Sequence, residues 1–276
     1  MANTSLLLDL PAELRNTIYQ LALTHSEPLH YRMPKDGEDK PYLYHREAPF
    51  QQGDDEKLVE YNQLKYVNKQ LYAETAGLEL KFNDVTLSEG SGHESPSDML
   101  TAWVSSISIA KRSWIKTISI KCDKYDPKCF DSESAEAVAR LARLCNDIPT
   151  MRVKCYNPFW TYANRRHYDV VFFFMAALSI YYAYRGETTK YLIFDESEHT
   201  MLKESGKKWR EPCKGPKVHL AQLQAENLRY FPTLPANFTV PVIKANHRVA
   251  EDGEVIPEAE QWIGNKYLRE WMEYGI

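Results

Sequence analysis

Three short stretches hold the residues best suited to chemistry, and one of them pairs an acid with a histidine. Asp195 and His199 stand four residues apart in the segment DESEH, so they would share one face of a helix. Such a pair can help to hold a metal ion or move a proton. No second cysteine or histidine pair follows at metal-ligand spacing, and a solvated charged loop explains the segment more simply. We therefore expect no bound metal and no cofactor.

A second stretch concentrates positive charge. Residues 203–217 carry six lysines and arginines, among them Lys207, Lys208 and Arg210, against two glutamates, with Trp209 between them. Basic side chains can neutralise phosphates and a tryptophan can stack on a base, so this loop is a candidate nucleic-acid site. The whole chain has a net charge of −4, however, which gives no general attraction to polyanions. A solvated loop is the simpler interpretation, and a basic-loop nucleic-acid binder is kept as an alternative.

The third stretch, Asn157 to Tyr162, is densely aromatic. Phe159, Trp160 and Tyr162 are candidates for contact with a protein partner, because large rigid rings bind at little cost in conformational entropy. The stretch follows a predicted strand, and α/β sheets place binding sites at strand ends. Together with the segment around Asp195 it defines another alternative, an enzyme with a site at strand ends. No GxSxG, GxxxxGK or GxGxxG motif supports that alternative, so we expect a protein that is not an enzyme.

The elements that must position these stretches follow from hydrophobic periodicity. Strands are predicted at 85–87, 118–122 and 151–155, with helices near 98–107 and 132–145 between them. Strand, helix, strand is the β-α-β pattern, which predicts a fold of the α+β or α/β class. Farther on we expect a buried helix at 169–184, a strand at 191–195, a short strand and helix at 218–230, and a closing helix at 258–274. The apolar run from Val170 to Tyr184 falls short of the roughly 20 residues that a membrane helix requires.

Composition bounds the domain count and the compartment. The 276 residues, 43% of them hydrophobic, are enough for one large domain or two small ones. We place the boundary in the stretch 88–97, rich in glycine, serine and proline, between residues 1–87 and an α/β domain at 98–276. Five cysteines are an odd number, and no secretory pattern is present, so we predict free thiols. A reducing compartment, the cytoplasm or the nucleus, follows from that prediction.

The N-terminal residues predict a helix with one apolar stripe. Pro11 suits a first helical position, and Leu14, Ile18, Leu21 and Ala22 recur at helical spacing. A second helix is predicted near 61–82. Residues 24–60 separate the two helices, and their four prolines and their charges predict a loop or an irregular hairpin.

Two sequence motifs in this region carry a family resemblance. Residues 10–19 read LPAELRNTIY, and residues 64–82 read LKYVNKQLYAETAGLELKF. Together they resemble the fungal F-box-like proteins, which begin with LPxELRNxIY and continue with VNxQxxxE. The resemblance implies a helical module that docks on the adaptor of a cullin–RING ubiquitin ligase, as a substrate receptor does, or a degenerate relative without that docking.

The same resemblance implies a docking surface and an architecture. The module's apolar seam or docking face would be formed by Leu10, Pro11, Leu14, Ile18, Val67 and Leu71. Substrate receptors often pair this module with a repeat domain, so we expect it to pack on a repeat-like α/β layer. The insert at 24–60 would either cover the docking face or act as a recognition loop. The expected function is protein interaction, with a ligase adaptor and an unknown target as partners and no membrane.

Overall fold

The computed structural model describes residues 6–32, 41–45, 59–88, 96–121, 132–161, 224–233 and 269–276. The helices are α1 (Ala12–Leu23), α2 (Lys69–Thr75), α3 (Leu78–Phe82), α4 (Pro96–Ser106), α5 (Ile109–Arg112) and α6 (Ser132–Asp147), and a 3-10 helix spans Leu64–Tyr66. The strands are β1 (Leu29–Arg32), β2 (Tyr42–Tyr44), β3 (Val85–Ser88), β4 (Thr117–Lys121), β5 (Arg152–Thr161) and β6 (Leu228–Thr233). Residues 269–274 are also helical.

The strands form one six-stranded mixed sheet with the order β2-β1-β3-β4-β5-β6. Strand β1 pairs antiparallel with β2 and parallel with β3, and β3 pairs parallel with β4. The predicted α+β or α/β class is confirmed. The β3-α4-β4 unit shows why: a helix that joins two parallel strands must cover one face of the sheet.

Burial in this unit follows the predicted pattern. Met99, Leu100, Trp103 and Val104 of α4 are buried, and α4 contacts both β3 and β4. Three consecutive residues of β3 are buried, as expected for a strand covered on both faces, whereas β4 alternates between buried isoleucines and more exposed residues. The predicted strands and helices from residue 85 to residue 155 are therefore confirmed over the described residues.

The chain divides into two compact units. One comprises Met1–Lys121 with Ile148–Val153, and the other comprises Cys122–Asp147 with Lys154–Ile276. The predicted boundary at 88–97 lies within the sequence range of the first unit. In the second unit, α6 buries Leu141, Ala142 and Cys145, and the side-chain amide of Asn227 donates to the Cys145 carbonyl at 2.8 Å.

The single helix predicted near 61–82 is wrong. The segment is broken into the 3-10 helix, α2 and α3. Asn68 starts α2 from an extended conformation, and its side chain accepts a hydrogen bond from the backbone N–H of Leu71 at 2.9 Å. Gly77, with φ of 90°, then separates α2 from α3 in a backbone conformation that residues with a Cβ rarely adopt. The sequence contains the signals for this break, namely the capping residue Asn68 and the glycine Gly77 within an apolar periodic stretch.

The insert at 24–60 contributes strands. Strands β1 and β2 lie within it and pair antiparallel, which confirms the hairpin alternative. The pairing of β1 with β3 was not predicted; through it the insert becomes part of the sheet. The alternating burial of Leu29 and Tyr31 in β1 was obscured in the sequence by the prolines and charges around them.

Two further corrections concern β5 and β6. The strand predicted at 151–155 continues to Thr161, so Asn157 does not follow a strand's end. Residues 228–230 form the beginning of β6 rather than a helix. Residues 269–274 confirm the end of the predicted closing helix. The predicted elements at 169–184 and 191–195 lie outside the described residues.

Candidate functional site

The polar residues of the N-terminal motifs meet at one carboxylate. Glu74 of α2 accepts two hydrogen bonds from Arg15 of α1, with Nε 3.0 Å from Oε2 and Nη2 2.8 Å from Oε1. The hydroxyl of Tyr19 donates to Oε2 at 2.6 Å, and the amide of Gln70 donates to Oε1 at 3.0 Å. A bidentate arginine and two neutral donors therefore satisfy the carboxylate, and they fix α1 against α2.

These contacts hold Glu74 in its ionised form. Hydrogen bonds from Arg15, Tyr19 and Gln70 lower the pKa of Glu74 from 4.5 to about 2. The same contact raises the pKa of Arg15, and burial beside the carboxylate raises the pKa of Tyr19. Glu74 and Arg15 are therefore both charged at neutral pH while Tyr19 is neutral, and the network provides a structural tie rather than a proton-transfer site.

Both ends of α1 are tied by further hydrogen bonds. At its start, Nη1 of Arg15 donates to the carbonyl of Leu10 at 2.5 Å. At its end, the buried side chain of Asn83 donates to the carbonyls of Leu23 at 2.6 Å and Glu79 at 2.9 Å. The Asn83 side-chain oxygen accepts from the backbone N–H of His25 at 2.6 Å. These bonds satisfy groups at the helix ends that would otherwise lack partners.

Helices α1, α2 and α3 form a helical module. Its core uses a different face of α1 from the predicted stripe. Tyr19 and Leu23 are buried with Leu71 of α2. Partly buried hydrophobic residues pack around them, namely Leu7, Leu8, Tyr61, Leu64, Leu78 and Phe82. Leu71 is therefore a core residue.

The apolar stripe of α1 is exposed. The side chains of Leu14, Ile18 and Leu21 are 52%, 38% and 76% exposed. Pro11, three residues before Leu14, is exposed as well. Val67 is exposed as well, and Leu10 is half-buried. Full burial of one large aliphatic side chain is worth roughly 1.5–3 kcal/mol, and for these three side chains this stabilisation is not fully gained unless a partner covers them.

A second polar cluster joins the 3-10 helix region to α2 and α3. The fully buried side chain of Asn62 donates to the Thr75 carbonyl at 2.8 Å and to Glu79 Oε2 at 2.6 Å. Nearby in sequence, Lys65 forms an ion pair with Glu60. These contacts pair the Asn62 side-chain nitrogen, whereas its buried Oδ1 has no hydrogen-bond partner among the described residues, and they have a structural role.

The other predicted site residues are placed only in part. Phe159 and Trp160 have their backbones in β5, and Tyr162 lies outside the described residues, as do Asp195, His199, Lys207, Lys208 and Arg210. Neither Cys145 nor Cys155 forms a disulfide bond, and burial raises the pKa of Cys145 to about 12. Among the described side chains, no three histidines, cysteines, aspartates or glutamates converge closely enough to hold a metal ion.

The sequence reasoning missed the residues that build the module. The bond between Arg15 and Glu74 was not predicted from the sequence. The signal was present in the motifs themselves. Arg15 and Tyr19 belong to the first motif, and Asn68, Gln70 and Glu74 belong to the second, at spacings that place them on facing helix surfaces.

Comparisons with protein-family models, with curated proteins and with solved structures found no match to this chain. The family resemblance therefore rests on residues 10–19 and 64–82 of the sequence. In the part of the chain that the structure describes, none of the helices combines the length and the apolar character needed to cross a membrane.

Proposed function

We propose that this chain is a protein-interaction protein without enzymatic activity, and that its N-terminal F-box-like module docks on another protein through α1. One observation carries the proposal. The stripe of Pro11, Leu14, Ile18 and Leu21 is apolar and solvent-exposed on a helix whose other face is fixed in the module. Exposed apolar residues at helical spacing are typical of a helix that lies in a groove of its partner.

The motif resemblance supports a particular class of partner. The adaptor of a cullin–RING ubiquitin ligase is the partner that the two motifs imply. The chain would then act as a substrate receptor in the cytoplasm or the nucleus, and its remaining residues would recognise a target. The exposure of Leu14, Ile18 and Val67 supports docking over a purely structural module, in which these side chains would be buried.

Binding to a purified adaptor tests this proposal. We expect the full chain to co-elute with the adaptor in gel filtration, and we expect Leu14→Ala combined with Leu21→Ala to abolish the complex while the variant stays folded. Tyr72→Ala is the matched control, because Tyr72 is also exposed but lies two residues from Glu74 and so points to another side of α2. Failure of the wild-type chain to bind, or equal loss in the control, would contradict docking through α1.

A further inference from the structure

Helix α1 carries two apolar faces, and the less apolar one is buried. Leu14, Ile18 and Leu21 lie on the exposed face, whereas Tyr19 and Leu23 lie on the buried face. With 3.6 residues per turn, the two faces point to roughly opposite sides of the helix. Apolar burial alone favours packing the three aliphatic side chains inward. Another interaction must therefore decide which face is presented to solvent.

We infer that the Glu74 carboxylate, acting through Arg15 and Tyr19, selects the buried face of α1 and thereby the face that a partner meets. Arg15 and Tyr19 are four residues apart, on the side of α1 that faces α2, and both donate to this carboxylate. Turning α1 to bury Leu14 and Ile18 would carry both donors away. Glu74 would then remain as a half-buried carboxylate without its cation, which is unfavourable.

The network also fixes where α1 begins. The guanidinium of Arg15 bonds to the Leu10 carbonyl, just before the helix, while it holds Glu74. One arginine therefore couples the start of α1 to its rotation about the helix axis. Arg15 and Glu74 are positioning residues, since they act on the exposed stripe through the orientation of α1. Polar networks of this kind can specify one packing among several that apolar residues allow.

Thiol labelling measures the selected face directly. The reporters are Ile18→Cys on the exposed face and Leu23→Cys on the buried face, each in the full chain, with the labelled site identified by mass spectrometry. In the wild-type background we expect Ile18→Cys to react much faster than Leu23→Cys. With Arg15→Met and Glu74→Leu added, we expect the ratio of the two rates to fall by about tenfold or more. The reason is that the orientation of α1 that buries Leu14 and Ile18, rare in the wild type, becomes about as populated as the native orientation.

The second ion pair of the module provides a matched control. Lys65→Met with Glu60→Leu removes a pair whose side chains are as buried as those of Arg15 and Glu74, and we expect an unchanged labelling ratio. An unchanged ratio in the folded Arg15→Met, Glu74→Leu variant would overturn the inference, because packing alone would then select the face. An equal fall in the control variant would also overturn it.

A charge swap keeps the inference testable if the apolar pair does not fold. Arg15→Glu and Glu74→Arg should each lower the labelling ratio alone, and together they should restore it toward the wild-type value. A folded double variant that does not restore the ratio would contradict the inference. The inference deepens the proposed function, but its test needs no partner. Loss of adaptor binding with an intact labelling ratio would therefore refute the proposed function alone.

Discussion

At the scale of single residues, Glu74 is the centre of the helical module. Its carboxylate accepts hydrogen bonds from two residues of α1 and from Gln70 of its own helix. Four residues of the two motifs, Arg15, Tyr19, Gln70 and Glu74, therefore form one hydrogen-bonded network inside the module. The sequence could predict α1 from its apolar spacing, but it could not predict this contact, because pairing between helices depends on their packing.

The lowered pKa of Glu74 predicts a specific acid sensitivity. Its pKa is about 2 in the folded chain and 4.5 without these contacts. The carboxylate therefore contributes its full stabilisation above pH 4.5 and loses it as the pH falls toward 2. We expect wild type to be more stable than Glu74→Gln at neutral pH, with the difference shrinking across that interval. Chemical denaturation at a series of pH values measures it, and a difference that does not depend on pH would contradict the assignment.

At the scale of elements, the structure separates two roles within the predicted seam. Leu71 belongs to the core of α1 and α2, whereas Leu14 and Ile18 face solvent. Periodicity predicted helix α1, but it could not predict which side packs inward, since both sides carry apolar residues. The largest apolar stripe of α1 is the exposed one, and the buried side has only Tyr19 and Leu23, four residues apart.

This separation predicts unequal costs of truncation. Leu71→Ala should lower the free energy of unfolding by about 2–5 kcal/mol, because it leaves a cavity beside Tyr19 and Leu23. Leu21→Ala should change it by no more than about 0.5 kcal/mol, because that side chain is exposed and alanine favours the helix. Urea denaturation of both variants measures the contrast. Equal costs at the two positions would show that the stripe of α1 is packed within the module.

At the scale of the whole molecule, the sequence predicted elements that contact their neighbours along the chain, and it did not predict pairings between distant segments. The β3-α4-β4 unit was predicted because its strands and helix follow one another and each has a clear period. The pairing of β1 with β3 was not predicted, because the two strands lie about 55 residues apart and β1 belongs to an insert of low apolar content. The continuation of β5 through Asn157 and Pro158 was missed for a local reason, since both residues disfavour strands.

In the proposed function, α1 is held in place by the Glu74 network and presents an uncharged apolar stripe to a ligase adaptor. Calorimetry of the full chain with that purified adaptor tests this claim most directly. We predict a negative heat-capacity change on binding and an affinity that changes little as salt is raised, because the stripe contains no charge. In the Leu14→Ala, Leu21→Ala variant we expect no measurable binding. Absence of binding by the wild-type chain, or full affinity in that variant, would contradict the account.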